Sequence, residues 1–270
     1  MMTHDMKSMA CAVCDIAKRA GLYIKEEREH FLLECVISKH AHDYVSYVDK
    51  NSEKLIVTAL RELLPEAGFI TEESSASYEG QQYYWVIDPL DGTTNFIHQN
   101  APYCVSIALC CEQEILLGCI YEVCADELFY AWKGGGAYLN GNSIHVSTQP
   151  IEEALVGVEL PYDADAYRHV GHYLIDTFYG HVGAIRMNGS AAMSLCYVAA
   201  GRMDGWIEKY IGQWDFMAGA IIVMEAGGTI TDFSGNNHFM KGNEIVASNG
   251  FFHKNLLDTV AHALEASPLL

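Results

Sequence analysis

The stretch WVIDPLDGTTNF, Trp85 to Phe96, decides how the rest of the chain is read. Apolar and aromatic residues from Tyr83 to Ile87 run straight into two aspartates three positions apart, Asp88 and Asp91. Carboxylates at the end of a buried-looking strand need a partner, because burying an unpaired charge is costly. Pro89 fixes φ and removes a donor, so Pro89-Leu90 turns the chain. The turn can aim both carboxylates and the Leu90 carbonyl at one point, a hard oxygen set suited to Mg2+. Gly92 lets the backbone approach a ligand closely. Thr93, Thr94 and Asn95 then read as the first turn of a helix, whose free N–H groups hold anions. The alternative is an Asp-Pro turn and a helix cap on the surface, since DP and DG are common turn signals.

Working outward, helices and strands alternate. Residues from about Met6 to Ile37 carry apolar side chains at helical spacing, with a bend or division at Gly21. Asp43 to Lys50 alternates like a strand or extended turn. Ser52 is placed to cap a second helix that Pro65 stops. GFITEES is a short strand ending on Glu72 and Glu73. Cys104 to Val146 holds four strand-like runs with turn residues between them, an antiparallel meander. Gly134 to Gly136 is one of its turns and not a nucleotide loop, since no Gly-Lys-Ser/Thr follows. Helices are expected over about 166–178, in AAMSLCYVAAG, in WDFMAGAIIVMEAGG and over 253–266, and strands in DGWIEKY, TITDF and EIVASN. Asp215 opens the WDFMAGA helix, and Asp as an N-cap is ordinary. No repeat or linker interrupts the 270 residues. They read as one domain, 1–270, of two α/β halves near 1–150 and 151–270, with helices layered on sheet.

Composition narrows the classes. Half the residues are hydrophobic, enough for a sizeable core. With 35 acidic against 16 basic residues the net charge is −19, which argues against nucleic-acid or anionic-membrane partners. An acidic protein that takes an anionic substrate needs a local device, such as a metal ion or a helix N-terminus. Neither a leader nor a spanning segment is read, so a cytoplasmic protein is expected. The nine cysteines lack regular spacing, and the Cys11-Cys14 pair sits in a helix, so buried reduced thiols are expected. His169, His172 and His181, like His40 and His42, read as solvated residues. Trp214, Met217 and Met224 read as helix packing.

ITEES, WVIDPLDGTTNF and WDFMAGAIIVMEAGG together resemble the inositol monophosphatase family of Mg2+-dependent, lithium-sensitive phosphatases, in order along nearly the whole chain. The resemblance implies a five-layer αβαβα sandwich of the inositol monophosphatase and fructose-1,6-bisphosphatase type, and a homodimer. It implies metal ligands Glu72, Asp88, the Leu90 carbonyl, Asp91 and Asp215 for two or three Mg2+ ions, with Mn2+ as a substitute. Thr93 and Asp49 would lie at the attacking water, oriented together with Glu72. Gly92, Thr93 and Thr94 would hold the phosphate. Asp91, Gly189, Ser190, Ala191, Glu208 and Asp215 would meet a small phosphorylated polyol or sugar. Physical chemistry agrees: a phosphate dianion repels hydroxide, and paired Mg2+ ions neutralise it, acidify water and hold the leaving oxygen.

The chain departs from the family pattern in places. Ser38, with Lys39 beside it, stands where many members carry lysine; Gly212 stands where many animal members carry histidine. Leu160 and Pro161 in VGVELPYD replace small polar residues of some relatives, beside the substrate. Same-fold substrates therefore stay open: fructose 1,6-bisphosphate, NADP, 3′-phosphoadenosine 5′-phosphate or histidinol phosphate beside inositol 1-phosphate. A haloacid-dehalogenase mechanism lacks its second aspartate, because Leu90 stands there, and no EF-hand loop exists. A non-catalytic cation-binding protein is the remaining alternative.

Overall fold

The computed structural model describes residues 5–40, 43–161 and 164–266. His42 and the side chains of Lys39, His40 and Asp43 lie outside that description. The elements run α1 (Met6–His30), β1 (Ile37–His40), β2 (Asp43–Val45), α2 (Tyr47–Leu63), β3 (Gly68–Thr71), β4 (Tyr83–Asp91) and α3 (Thr93–Ile97). Then follow β5 (Cys104–Cys111), β6 (Glu114–Glu122), β7 (Glu127–Trp132), β8 (Gly136–Leu139), β9 (Asn142–Ile144) and β10 (Leu155–Val158). The remainder is α4 (Ala164–Phe178), β11 (Ala184–Arg186), α5 (Ala191–Ala199), β12 (Gly205–Ile211), α6 (Gln213–Glu225), β13 (Thr229–Thr231), β14 (Asn243–Ser248) and α7 (His253–Glu265).

Seven strands pair in sequence order from β3 to β9, parallel only between β3 and β4. Five strands form a second sheet, β11-β10-β12-β14-β13, with parallel β10 neighbours and antiparallel β14 neighbours. Three apolar cores separate the layers. The first joins α1 and α2 to one face of the seven-stranded sheet through Val13, Ile24, Ile56, Leu60, Trp85 and Ile107. The central core holds α5 and α6 between the two sheets, through Leu195, Phe216, Met217 and Ile222 with Val86, Phe129 and Trp206. The third joins the five-stranded sheet to α4 and α7 through Val156, Leu174, Phe178 and Leu256. This is the five-layer αβαβα order. Helix α6 is apolar on every side because sheets flank it on both sides; its Phe216 to Val223 run is fully buried.

Several local expectations need correction. Helix α1 ends at His30, and Ile37 opens a strand. Gly21 does not divide it; a side chain there would strike the Tyr121 ring, so the glycine permits close helix–sheet contact. The second helix begins at Tyr47, capped by Ser46 in a capping box with Asp49; Ser52 lies inside the helix, where its hydroxyl donates to the Pro89 carbonyl at 3.1 Å. Asp215 is the third residue of α6 rather than its cap, and its carboxylate accepts from the Gly212 N–H at 2.6 Å. Met224 is exposed, as are Cys11 and Cys124, while Cys14, Cys104, Cys110, Cys119 and Cys196 are buried; all nine thiols are free. Among the described residues no helix is long and apolar enough to cross a membrane.

Candidate active site

Side chains alternate along a strand, so Asp88 and Asp91, an odd spacing apart, belong to opposite faces of a regular β4. Pro89 breaks that rule. Pairing with β5 is regular through Asp88–Ser106 and resumes only at Asp91–Cys104. This bulge swings the two carboxylates to the same side. The Leu90 N–H donates back to Asp88 Oδ1 at 2.9 Å and fixes the turn. Asp215 reaches the same place from the first turn of α6, so carboxylate oxygens of Asp88, Asp91 and Asp215 all lie within 4.8 Å of one another. Glu72 follows β3, which runs parallel to β4, and its amide donates to the Ile87 carbonyl at 3.2 Å.

The electrostatics of this corner are those of crowded anions. Burial, then the charges of Glu72, Asp91 and Asp215, push the Asp88 carboxyl well above its ordinary range. Burial, then Asp91 and Glu72, does the same to Asp215. Burial also raises Asp91, against the pull of hydrogen bonds from Ser190 and Ala192. Such a set is destabilising until a cation occupies its centre, and its donors are the hard oxygens that Mg2+ prefers.

Next to the corner stands Thr93. Its Oγ1 lies 3.0 Å from both Asp49 Oδ1 and the Leu90 carbonyl, so its one proton serves one acceptor at a time. Asp49 is 1% exposed, and its other oxygen accepts the Ser46 amide at 2.9 Å and the Ser46 hydroxyl at 2.6 Å. The capping box of α2 thus also anchors a site residue. Gly92 has φ +89°, and a Cβ there would sit 2.9 Å from the Pro102 carbonyl and 3.3 Å from that of Gly189. Glycine is required on both counts. Glu53, wholly buried, ties the Glu72 side by accepting the Glu73 and Ser75 amides, each at 2.8 Å.

A cleft of about 280 Å³ opens from the corner, lined on one side by Asp91, Gly92, Thr94 and Asn95 and on the other by Gly189, Ser190 and Ala191. Glu159, Leu160, Pro161, Glu208, Tyr210, Ile211 and Asp215 close it. Asp91 Oδ2 joins the two sides by accepting the Ser190 hydroxyl at 2.5 Å and the Ala192 amide at 2.9 Å. Thr93, Ala191 and Gln213 start three helices there, so three N-terminal partial positive charges meet in an otherwise acidic protein. Every residue expected at the site is therefore found in the corner, beside it, or along the cleft.

The role of Glu159 and the long-range bridge made by Asn95 escaped the sequence reading. Glu159 Oε1 accepts the Asn188 amide at 2.6 Å and the Gly189 amide at 3.2 Å, and burial raises its carboxyl to about 7. Its signal was present: like Glu72 and Asp88, it ends an apolar run, VGVEL. The Asn95 side-chain amide donates to the Pro102 and Asn188 carbonyls, both at 2.8 Å, linking the turn after β4 to the turn before α5. That pairing spans 93 positions, and no local pattern reveals it. Leu160 and Pro161 do border the cleft, as the sequence suggests. His169, His172 and His181 form no metal-like group; among the described residues the aspartate triad is the only such cluster.

Comparison with known proteins agrees with this geometry. The model of the inositol monophosphatase family matches residues 5–269. The Nus factor SuhB of Pseudomonas aeruginosa is 38% identical over 97% of this chain and 99% of its own length. An inositol-1-monophosphatase of Mesorhizobium japonicum is 37% identical over 83% of this chain and 85% of its own. Among solved structures, the suhB protein of Bartonella henselae aligns with TM-score 0.88 at 34% identity, covering 94% of this chain and 98% of that one. Inositol monophosphatase from Anabaena aligns with TM-score 0.86 at 30% identity, covering 98% and 99%. Sequence, layer order and carboxylate corner converge, and the chain belongs to the inositol monophosphatase family.

Proposed function

We propose that the protein hydrolyses small phosphate monoesters in a Mg2+-dependent reaction, with inositol 1-phosphate the first substrate to try. The observation that carries this reading is the aspartate triad, Asp88 and Asp91 buried and Asp215 half-buried, opening directly into a cleft with three helix N-termini. Asp88, Asp91, Asp215, Glu72 and the Leu90 carbonyl would hold the ions, with Mn2+ able to replace Mg2+. Bound there, divalent cations neutralise the phosphate dianion, acidify water and stabilise the leaving oxygen. The protein's own groups do the rest. With its hydroxyl proton donated in a hydrogen bond to Asp49, the Thr93 oxygen would present a lone pair that fixes the attacking water, together with Glu72. Backbone amides from Gly92 to Thr94 would seat the phosphate. Glu208 would meet the alcohol hydroxyls with Ser190 and Ala191; burial and the charges of Glu159, Asp215 and Asp91 hold its carboxyl well above the usual range.

A cytoplasmic homodimer is the assembly this reading adopts. Relatives named Nus factors support a second reading, in which the chain serves as such a factor; the complete acid set favours the phosphatase. The test is phosphate release from a panel of inositol 1-phosphate, fructose 1,6-bisphosphate, NADP, 3′-phosphoadenosine 5′-phosphate and histidinol phosphate. Activity on at least one that EDTA abolishes and Mg2+ restores is expected. Silence across the panel in Mg2+ would reject the reading.

A further inference from the structure

Tyr210 lines the cleft with φ +64°, in the left-handed region. Six other non-glycine residues share that conformation among the described ones, and all six are polar residues; Tyr210 is the only aromatic. It marks the point where β12 bulges against β14, between Lys209 and Ile211. Glycine would take this backbone without strain, so the tyrosine is held there against its preference. Strained backbone of this kind gathers at functional sites.

The ring is 49% exposed. Tyr167 meets it edge-on, with centroids 6.1 Å apart and planes at 83°, and the Lys209 ammonium lies 5.5 Å from its centroid. Both contacts fix the ring's orientation. Leu160, itself 47% exposed, and Pro161 line the same cleft, so this end offers apolar surface beside the carboxyls of Glu159 and Glu208. An open-chain polyol gains little from such a surface. A hydroxylated ring has a carbon face as well as hydroxyls. Its C–H groups suit the negative face of an aromatic ring, and two χ angles make tyrosine an inexpensive anchor in entropy.

We propose that Tyr210 is a specificity-determining residue whose ring packs on the carbon face of a cyclic alcohol, selecting ring phosphates over open-chain ones. This rests on the phosphatase reading above. The experiment measures kcat/KM for inositol 1-phosphate and glycerol 2-phosphate in Mg2+, with Tm, for the wild type, Tyr210→Gly and Tyr210→Phe. In Tyr210→Gly the preference for the ring ester falls about tenfold, about 1.4 kcal/mol, through the KM of inositol 1-phosphate. Its Tm stays at or above that of the wild type, because the left-handed strain is relieved. Tyr210→Phe keeps the preference. A Tyr210→Gly protein whose preference is unchanged, or which loses both activities equally with a lowered Tm, would overturn the inference while leaving the phosphatase reading intact. A wild type that hydrolyses neither ester would overturn both.

Discussion

In the carboxylate corner behind the cleft Asp88 is 2% exposed and Asp49 1%; on the cleft lining Leu160 is 47% exposed and Tyr210 49%. The inner end is over-determined. Asp91 and Thr93 each bond to another element, Asp88 and Asp49 are fixed by the Leu90 and Ser46 amides two and three residues away, and Gly92 has no room for a methyl group. The outer end is held by an edge-on ring contact and a strained strand. On the proposed function, chemistry needs fixed charges and would use the locked residues, while choice of alcohol needs only shape and would fall to the residues at the rim. A change at the inner end should remove turnover, while a change at the rim should redistribute it among substrates.

The largest effect expected is at the inner end. Asp88→Asn should lower kcat/KM about 10³-fold, several kcal/mol of lost charge stabilisation, measured by phosphate release. Thr93→Ala should cost about 10²-fold, mostly in kcat, since on the proposed mechanism it would misplace the attacking water without removing a ligand. A loss confined to KM in either variant would break the contrast between the two ends. Glu208→Ala should raise KM about tenfold with kcat nearly kept, the sign of lost ground-state contact. The crowded carboxylates also predict that Mg2+ raises the Tm of the wild type by several degrees and that of Asp88→Asn by much less, read by calorimetry.

The smallest effect concerns Glu159. Its carboxyl is raised from 4.5 to about 7 in the folded state by burial, so the neutral form is the one the fold favours. That contribution is complete below about 4.5 and is lost as pH rises through about 7. In EDTA, Glu159→Gln, which keeps an acceptor for the Asn188 and Gly189 amides, should flatten part of the fall in Tm across this window. An unchanged pH profile would show that Glu159 is charged throughout and would remove it from the contrast.

Much of the inner end was legible in the sequence because it is local. Asp88, Leu90, Asp91, Gly92 and Thr93 lie within six residues, and Pro89 announces their turn. The layering was legible too, since α6 is apolar all round and β5 to β8 alternate with clear turns. What escaped was long-range or strained. Ser46 rather than Ser52 caps α2 because the Asp49 carboxylate closes the box and Ser52 is drawn to Pro89. The Asn95 bridge and the backbone of Tyr210 depend on partners that no periodicity encodes.

The central claim is that the aspartate corner is the seat of a cation-dependent hydrolysis. It is tested most directly by phosphate release from inositol 1-phosphate across a Mg2+ titration, for the wild type and Asp88→Asn side by side. The account predicts saturable activation of the wild type, none in EDTA, and a variant about 10³-fold slower at every Mg2+ concentration. Turnover that persists both in EDTA and in Asp88→Asn would contradict it.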